Sequence, residues 1–184
     1  TVQSGEGGIS SSPERVGPNT IDSCTVIKTS GIYSLTSNIT QQPSADDGDP
    51  LNCLNVTVSD VVIDGNGYAI AYKEKFGSND AESGVWIENS DGGQLRNVSV
   101  RNLTIGGTID RGVYVNDTSD VTVEDSTFDP SSSTPAPEGG VVYDEVSQLT
   151  IRQNEFGTNL SRGVDVEAIG AELTTATIVN NRFN

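Results

Sequence analysis

The amino-acid sequence predicts an all-β fold, a right-handed parallel β-helix (a solenoid) with about five to six coils. Octets of one residue pattern begin at residues 61, 98, 121, 149 and 176, and repeats of this length indicate a solenoid. Each octet alternates apolar with polar residues and is rich in β-branched side chains, which predicts strands rather than helices. The composition, 33% hydrophobic and only 5% aromatic, suits a narrow aliphatic core.

The first 20 residues are predicted to form a flexible arm, and residues 21–184 the β-helix domain. The arm is polar and contains the run Ser10-Ser11-Ser12-Pro13, which is typical of a tether. The sequence has no Met, even at position 1. We therefore expect that the chain begins after a processing event or at the boundary of a longer sequence, and secretion is the economical explanation.

The first coils hold the two cysteines, Cys24 and Cys53, each at the edge of an apolar segment. We expect a disulfide between them that stabilises the fold by about 3 kcal/mol by constraining the unfolded chain. Two buried free thiols are the alternative.

The loop between these cysteines carries three acidic residues, Asp46, Asp47 and Asp49. Calcium takes such oxygen ligands, but the spacing is not that of an EF-hand loop, and a solvated acidic turn is the alternative. No other cofactor is expected. Copper delivery would require His, Met or free Cys ligands, and the sequence has no His and no Met.

The octets predict which side chains line the core. Three inward columns follow from the alternation: Val61, Val98, Val121, Leu149 and Ala176; then Ile63, Val100, Val123, Ile151 and Ile178; then Tyr68, Ile105, Phe128, Phe156 and Phe183. In a solenoid, one coil cannot bury its apolar face alone, so each column packs against the coils above and below.

The outward positions of the octets support the same register. One column is a hydroxyl ladder and another alternates in charge: Ser99, Thr122, Thr150 and Thr177; Arg101, Glu124 and Arg152. Opposite charges on adjacent strands attract. A third set of short polar residues is expected at one corner of the coils. Such side chains tolerate left-handed backbone angles and form hydrogen bonds with their stacked neighbours. The set comprises Asn66, Ser126, Asn154 and Asn181.

A Gly-Val element precedes each of the last four octets and begins at Gly84, Gly112, Gly140 and Gly163. If the first and third residues after the glycine face inward, the second and fourth face outward. The outward residues are Trp86, Tyr114, Val142 and Asp165 at the second position, and Glu88, Asn116, Asp144 and Glu167 at the fourth. Stacked aromatic rings beside carboxylates and an amide are typical of sugar binding. All of these except Val142 are therefore the candidate glycan-binding residues.

The alternative for these columns is an aromatic pair that only shields the sheet, with solvated acids beside it. Arg111 and Arg162, each directly before its glycine, would partner the acids or a uronate.

Catalysis on this face is the alternative function. Two carboxylates on different rungs would act as the acid and the base or nucleophile of a glycosidase. Adjacent rungs lie only about 4.8 Å apart, however, and acids line any acidic β-helix. Without His, the serine and cysteine triads are excluded, as is the Gly-His-Gly motif of polygalacturonases. No catalytic residue is assigned.

The net charge is -16, from 26 acidic and 10 basic residues. This balance argues against nucleic acid, because phosphate binding requires a cationic face. It resembles the surfaces of proteins from high-salt organisms, where salt screens the self-repulsion; an ordinary acidic secreted protein is the alternative. The sequence contains no run of 18 apolar residues, so no membrane-spanning segment is predicted.

Glycosylation is predicted from six sequons, at Asn38, Asn55, Asn97, Asn102, Asn116 and Asn159. Such sequons mark surface positions of secreted proteins. About three would arise by chance from this composition, so the excess favours secretion without establishing which sites are used.

The chain stops at Phe183-Asn184, on the last rung of a coil, and no capping segment follows. Solenoids normally cover such an end because it exposes strand edges and apolar side chains. We expect either a continuation of the chain or end-to-end stacking of another copy, as in a surface filament, sheath or fibre.

The opening coils resemble those of secreted right-handed β-helix proteins, the NosD-like or CASH-domain proteins on the surfaces of haloarchaea and methanogens. The resemblance is carried by Cys24-Thr25-Val26-Ile27, Gly31-Ile32-Tyr33-Ser34-Leu35, Cys53-Leu54-Asn55-Val56 and the segment from Val61 to Ile70. It covers about residues 21–184 and implies the fold more than an activity, because the superfamily includes lyases, hydrolases, adhesins and structural proteins.

The predicted function is a non-catalytic module at the cell or virion surface that serves adhesion, glycan contact or assembly. Its expected partners are glycans, other surface proteins or further copies of itself. The alternative is a carbohydrate-active enzyme, either a polysaccharide lyase or a glycosidase.

Overall fold

The structure, a computed structural model, describes residues 18–41, 52–73, 83–89, 92–131, 138–166 and 175–184. Throughout these ranges the regular elements are β-strands that pair in parallel, each with the strand one coil before and the strand one coil after it. The predicted all-β parallel β-helix is confirmed, with six coils and one additional strand, β1, at the start.

Each coil contains three strands, whereas the repeats predicted at least two. The first strands are β2 (Thr25–Ile27), β5 (Asn52–Val56), β8 (Ser83–Ile87), the first half of β11 (Arg111–Glu124), β13 (Gly139–Val146) and β16 (Arg162–Val166). The second strands are β3 (Gly31–Leu35), β6 (Val61–Asp64), β9 (Leu95–Arg101), the second half of β11, β14 (Gln148–Arg152) and β17 (Thr175–Val179), with β1 (Asn19–Ile21) preceding them. The third strands are β4 (Ile39–Gln41), β7 (Ala69–Tyr72), β10 (Thr104–Gly107), β12 (Thr127–Pro130), β15 (Glu155–Phe156) and β18 (Arg182–Phe183).

The octet register is confirmed in the second strands. Val121 lies between Val98 and Leu149, and Val123 lies between Val100 and Ile151. These side chains are buried in the core. The alternation of period two therefore placed both columns on the inner face.

In the third inward column, Ile70 and not the predicted Tyr68 precedes Ile105, and Ile39 precedes Ile70. Ile105 pairs with Ile70, whereas Tyr68 is only partly buried. The turn after β6 has two more residues than the later turns, and it includes Asn66 and Gly67, both at positive φ (51° and 80°). A short polar side chain and a glycine tolerate that conformation.

The predicted corner forms a hydrogen-bonded ladder from Asn181 through Asn154 and Ser126 to Leu103. Each side-chain oxygen accepts the backbone N–H of the ladder member before it, at 2.9 Å for Asn181 to Asn154 and 3.0 Å for Asn154 to Ser126. The third bond, from Leu103 N–H to Ser126 Oγ, is 3.3 Å long.

Two parts of the corner prediction are wrong. Asn66 is exposed and lies in the longer turn, where it takes no part in the ladder. The left-handed angles belong to the residues directly before the ladder members, Asp125, Gln153 and Asn180.

The outward charges pair across coils, as predicted for Glu124 and Arg152, whereas the partner of Arg101 is Asp64, which the predicted column did not include. Arg101 binds Asp64 at 3.0 Å, and Arg152 forms an ion pair with Glu124 on the neighbouring coil. These pairs are partly exposed, so each stabilises the fold only modestly.

The glycines of the Gly-Val elements lie against large side chains inside their own coils. A Cβ on Gly140 would meet the Phe156 ring at 2.5 Å, and one on Gly163 would meet the Phe183 ring at 2.3 Å. The rings of Phe128, Phe156 and Phe183 stack at centroid distances of 5.1 and 4.9 Å. The glycines therefore leave the space that this aromatic stack fills.

The predicted disulfide between Cys24 and Cys53 is present and ties the first coil to the second. The first strand begins at Asn19, two residues before the predicted domain boundary. The candidate calcium ligands Asp46, Asp47 and Asp49 lie outside the described residues, as does most of the predicted arm.

The last coil has exposed apolar side chains: Val166, Ile178, Val179 and Phe183. Ile178 and Phe183 correspond to Ile151 and Phe156 one coil earlier, which are buried because the last coil covers them. Val179 corresponds to the exposed Arg152.

Candidate functional site

The outward residues of the first strands form the columns that the sequence predicted. Tyr114 pairs with Trp86 on one side and with Val142 on the other, and Asp165 follows Val142. Asn116 pairs with Asp144 in the neighbouring column. Glu167 lies outside the described residues.

Trp86 and Tyr114 stack across adjacent strands. Their ring centroids are 4.1 Å apart and the planes are tilted by 30°. Trp86 is half-buried, whereas Tyr114 is only 7% exposed. The opposite neighbour of Trp86 on the sheet is Asn55, whose side chain is much smaller than an indole. Tyr114 therefore covers one face of Trp86 and leaves the face on the Asn55 side less covered.

Glu88 is held by two neighbours at the edge of this aromatic pair. Trp86 Nε1 donates to Glu88 Oε2 at 2.8 Å, and Asn116 Nδ2 donates to Glu88 Oε1 at 2.8 Å. Both carboxylate oxygens therefore accept a hydrogen bond, and the indole is fixed in its plane. The Trp86 face hereafter means Asn55, Trp86, Glu88 and Asn116.

A buried cation, the guanidinium of Arg111, lies over the ring of Tyr114. The guanidinium carbon of Arg111 is 5.1 Å from the centroid of the Tyr114 ring, and its Nε donates to Glu138 Oε2 at 2.7 Å. Such a cation-π contact stabilises more when the cation is shielded from water. The sequence did not indicate Glu138, which lies outside both columns.

The acidic end of the columns is arranged differently. Arg162 forms an ion pair with Asp165 at 2.5 Å, as its position before the glycine suggested. Asp144 Oδ1 is buried and has no hydrogen-bond partner among the described residues. Burial raises the pKa of the nearby Tyr143, and the charge of Asp165 raises it further.

The structure narrows the exposed part of the predicted site. Tyr114 and Val142, at 7% and 1% exposure, offer almost no surface although they face outward on the sheet. Trp86, Glu88, Asn116, Asp144 and Asp165 are partly exposed. An approaching ligand would therefore meet Trp86 and its neighbours at one end of the columns and acidic side chains at the other.

The sequence profile described as a right-handed beta helix region matches residues 51–184, most of the chain. The chain belongs to the right-handed beta helix family. No curated protein sequence and no solved structure is significantly similar to it. Family membership shows the fold of this β-helix and leaves its activity open, because function resides in the site and not in the fold.

A shallow groove runs along the outer side of the third strands of the β-helix. It consists of two adjoining depressions of ≈ 360 Å³ and ≈ 340 Å³ that share Thr127. Asn66, Asn102 and Asp125 line the first depression, and Asp129 and Glu155 line the second. The sequence pattern did not indicate this groove, because the repeats predicted only two strands in each coil with certainty and the groove lies on the third.

Metal ligands do not cluster in the part of the β-helix that the structure describes: it contains no group of three or more His, Cys, Asp or Glu side chains arranged to hold an ion. In those same ranges no helix is long and apolar enough to cross a membrane.

The six sequon asparagines of the β-helix differ in what their side-chain amides do. Four donate Nδ2 to an acceptor: Asn97 to Asp60 Oδ1, Asn102 to Asp64 Oδ1, Asn116 to Glu88 Oε1 and Asn159 to the Pro130 carbonyl, at 2.8, 3.2, 2.8 and 3.0 Å. Asn97 and Asn102 also have positive φ (52° and 51°). These four amides therefore contribute to the fold itself.

Proposed function

We propose that this right-handed β-helix is a non-catalytic extracellular module that contacts glycans through the Trp86 face. The observation that carries the proposal is the fixed indole of Trp86, with Tyr114 on one face and Glu88 on its N–H. A ring held in place loses little conformational entropy when a sugar packs on it. The apolar C–H face of a pyranose suits such a surface.

Two acids of the columns, Glu88 and Asp165, support binding rather than turnover. Both oxygens of Glu88 accept protein hydrogen bonds, and Asp165 pairs with Arg162. A general acid or base must reach the proton that it transfers. Side chains held in this way suit a fixed polar rim for sugar hydroxyls.

An extracellular location is supported by the Cys24–Cys53 disulfide, since such bonds persist in oxidising compartments. The net charge of -16 favours a salt-rich medium, which would screen the self-repulsion. We therefore propose that the module lies on the surface of a halophilic cell, where NosD-like proteins occur. Adhesion would follow if the glycans belong to another cell.

The proposal also includes homotypic assembly. The exposed apolar side chains of the last coil would suit another coil packed on this end. A second copy is one source of that coil, and further residues of the same polypeptide are another.

The test is a fluorescence titration of the unglycosylated protein with acidic and neutral oligosaccharides at molar salt. Trp86 is the only tryptophan, so a saturable change in emission reports binding at this face. Trp86→Leu should abolish binding measured by calorimetry, whereas Tyr68→Leu, at another partly buried aromatic, should not. Product analysis runs in parallel. A flat response across the panel overturns glycan binding, and release of reducing ends or unsaturated products overturns the non-catalytic role.

A further inference from the structure

We propose that Asn55 carries an N-linked glycan whose first sugar ring stacks on the less covered face of Trp86. The proposal deepens the proposed function, on which it rests for an extracellular location and a sugar-binding Trp86 face. It names one carbohydrate for that face, a glycan attached to this chain.

Asn55 lies where such a glycan would reach the indole. It pairs with Trp86 on the adjacent rung, about 4.8 Å away along the solenoid. Tyr114 occupies the opposite side of the indole at 4.1 Å. A pyranose ring attached to the Asn55 amide projects outward beside the indole, at a spacing close to that of stacked rings.

The Asn55 side chain makes no hydrogen bond with any residue that the structure describes. Its Oδ1 is buried without a hydrogen bond, and no described residue accepts a hydrogen bond from its Nδ2. A buried unpaired carbonyl is unfavourable. Val26 and Val142 occupy the same column on other rungs, so the fold accepts an apolar residue here. The amide at this position therefore requires a reason other than folding.

The sequon at Asn55 differs from the four sequons whose asparagine amide nitrogen donates a hydrogen bond to the protein. In those four, the nitrogen that would be glycosylated already donates to the protein, and Thr118 of the Asn116 sequon is fully buried. Asn55 and Thr57 are both partly exposed, and the Thr57 hydroxyl donates to the Ile27 carbonyl at 3.1 Å. Asn38 is the other sequon asparagine whose amide nitrogen donates to no described residue. It is exposed, and its Oδ1 accepts the Ala69 N–H at 2.9 Å.

The chemistry is glycosyl transfer without redox change. The donor is an oligosaccharide joined at its anomeric carbon to a lipid pyrophosphate, and a glycosyltransferase of the secretory route supplies it. The bond from Asn55 Nδ2 to the anomeric carbon forms as the bond from that carbon to the phosphate oxygen breaks. The amide loses one proton, and the lipid pyrophosphate leaves.

The experiment expresses the full chain behind a secretion signal in a yeast that N-glycosylates, and maps glycopeptides by mass spectrometry. We expect a glycan at Asn55 and unmodified Asn97 and Asn116. Acrylamide quenching of Trp86 should be about twofold weaker in the wild type than in Asn55→Gln, because a stacked sugar shields the ring. Asn38→Gln is the matched control and should leave the quenching unchanged.

Thr57→Val removes the sequon but keeps Asn55, so it should reproduce the Asn55→Gln quenching. It also removes the bond from the Thr57 hydroxyl to the Ile27 carbonyl, which Asn55→Gln retains, so equal quenching in the two variants identifies the lost glycan as the shared cause. An unmodified Asn55 overturns the proposal, whatever the other sequons carry. A glycan at Asn55 that leaves Trp86 quenching equal to that of Asn55→Gln overturns the stacking. The oligosaccharide titration uses unglycosylated protein, so the two proposals fail separately.

Discussion

Asn181 Oδ1 accepts two hydrogen bonds from Asn154, one from its backbone N–H at 2.9 Å and one from its side-chain Nδ2 at 3.1 Å. Asn154 in turn serves the coil before it: its Oδ1 accepts the Ser126 N–H at 3.0 Å, and its Nδ2 donates to the Val123 carbonyl at 2.9 Å. One amide therefore satisfies two backbone groups of the preceding coil, an N–H and a carbonyl.

Replacing Asn154 should destabilise the solenoid strongly. The residue is only 2% exposed, so Asn154→Ala leaves the Ser126 N–H and the Val123 carbonyl buried without these partners, at a cost of about 3 kcal/mol. Asn154→Ser should cost less, because Ser126 performs the same role with a hydroxyl. Urea denaturation measures both variants. Equal losses for Ala and Ser would contradict a hydrogen-bonding role.

The core columns were predictable because alternation with period two assigns every residue of a strand to one face. The alignment of Gly84 with Gly112 likewise predicted Trp86 next to Tyr114. The third column failed at Tyr68 because the turn at Asn66 and Gly67 has two additional residues, and a change in turn length does not alter the pattern within a strand.

The details of the site depended on contacts that residue patterns do not encode. Glu88 was expected to be a solvated acid or a sugar ligand, but its bonds to Trp86 and Asn116 depend on side-chain rotamers on two coils. The burial of Val142 likewise depends on its neighbours in space. Sequence alternation gives the direction of a side chain and not what covers it.

The inner and outer faces of β11 should respond oppositely to the same substitution. Val123 is fully buried, so Val123→Asp places an unpaired carboxylate in the core and should abolish cooperative folding. Thr122→Asp, one residue away on the outer face, should cost less than about 1 kcal/mol. Circular dichroism during thermal denaturation measures both. A folded Val123→Asp or an unfolded Thr122→Asp would contradict the register.

Asp64 should make the β-helix sensitive to acid. Burial disfavours its charge, but the Asn66 N–H, the Asn102 amide and Arg101 outweigh burial and lower its pKa below the ordinary 3.8. Because the folded pKa is depressed, this stabilisation is present at neutral pH and is lost as the pH falls below 3.8 through the folded pKa.

The variant Asp64→Asn should therefore be less stable than the wild type at neutral pH, and the difference should shrink in acid. Urea denaturation across this pH range measures the effect. Asp22→Asn removes the same charge from an exposed turn and is the control. A constant gap between Asp64→Asn and the wild type at all pH values would show that the charge of Asp64 does not contribute.

The disulfide should stabilise the N-terminal coils specifically. It joins Cys24 and Cys53 across a sequence separation of 29 residues, and replacing both with Ser should cost about 3 kcal/mol. In a solenoid each coil contacts only its neighbours, so amide exchange should accelerate in β2 and β5 and stay slow in β14. Hydrogen exchange with mass spectrometry resolves these strands. Equal acceleration in all three would contradict local coupling.

The same Gly→Ala substitution should have different costs at Gly140 and Gly163. In both, the added Cβ would meet a phenylalanine ring at 2.5 Å or less. Phe156, opposite Gly140, is 1% exposed and fixed between two stacked rings, whereas Phe183, opposite Gly163, is 57% exposed. A confined ring cannot move away from the new methyl group, but an exposed ring can.

Gly140→Ala should therefore cost about 3 kcal/mol, the upper range of overpacking effects, and Gly163→Ala about 1 kcal/mol. Thermal denaturation gives both values. The double variant Gly140→Ala with Phe156→Leu separates ring overlap from backbone effects, because the smaller side chain should relieve part of the Gly140→Ala penalty. Simple additivity of the two changes would show that the glycine is required by the backbone and not by the aromatic stack.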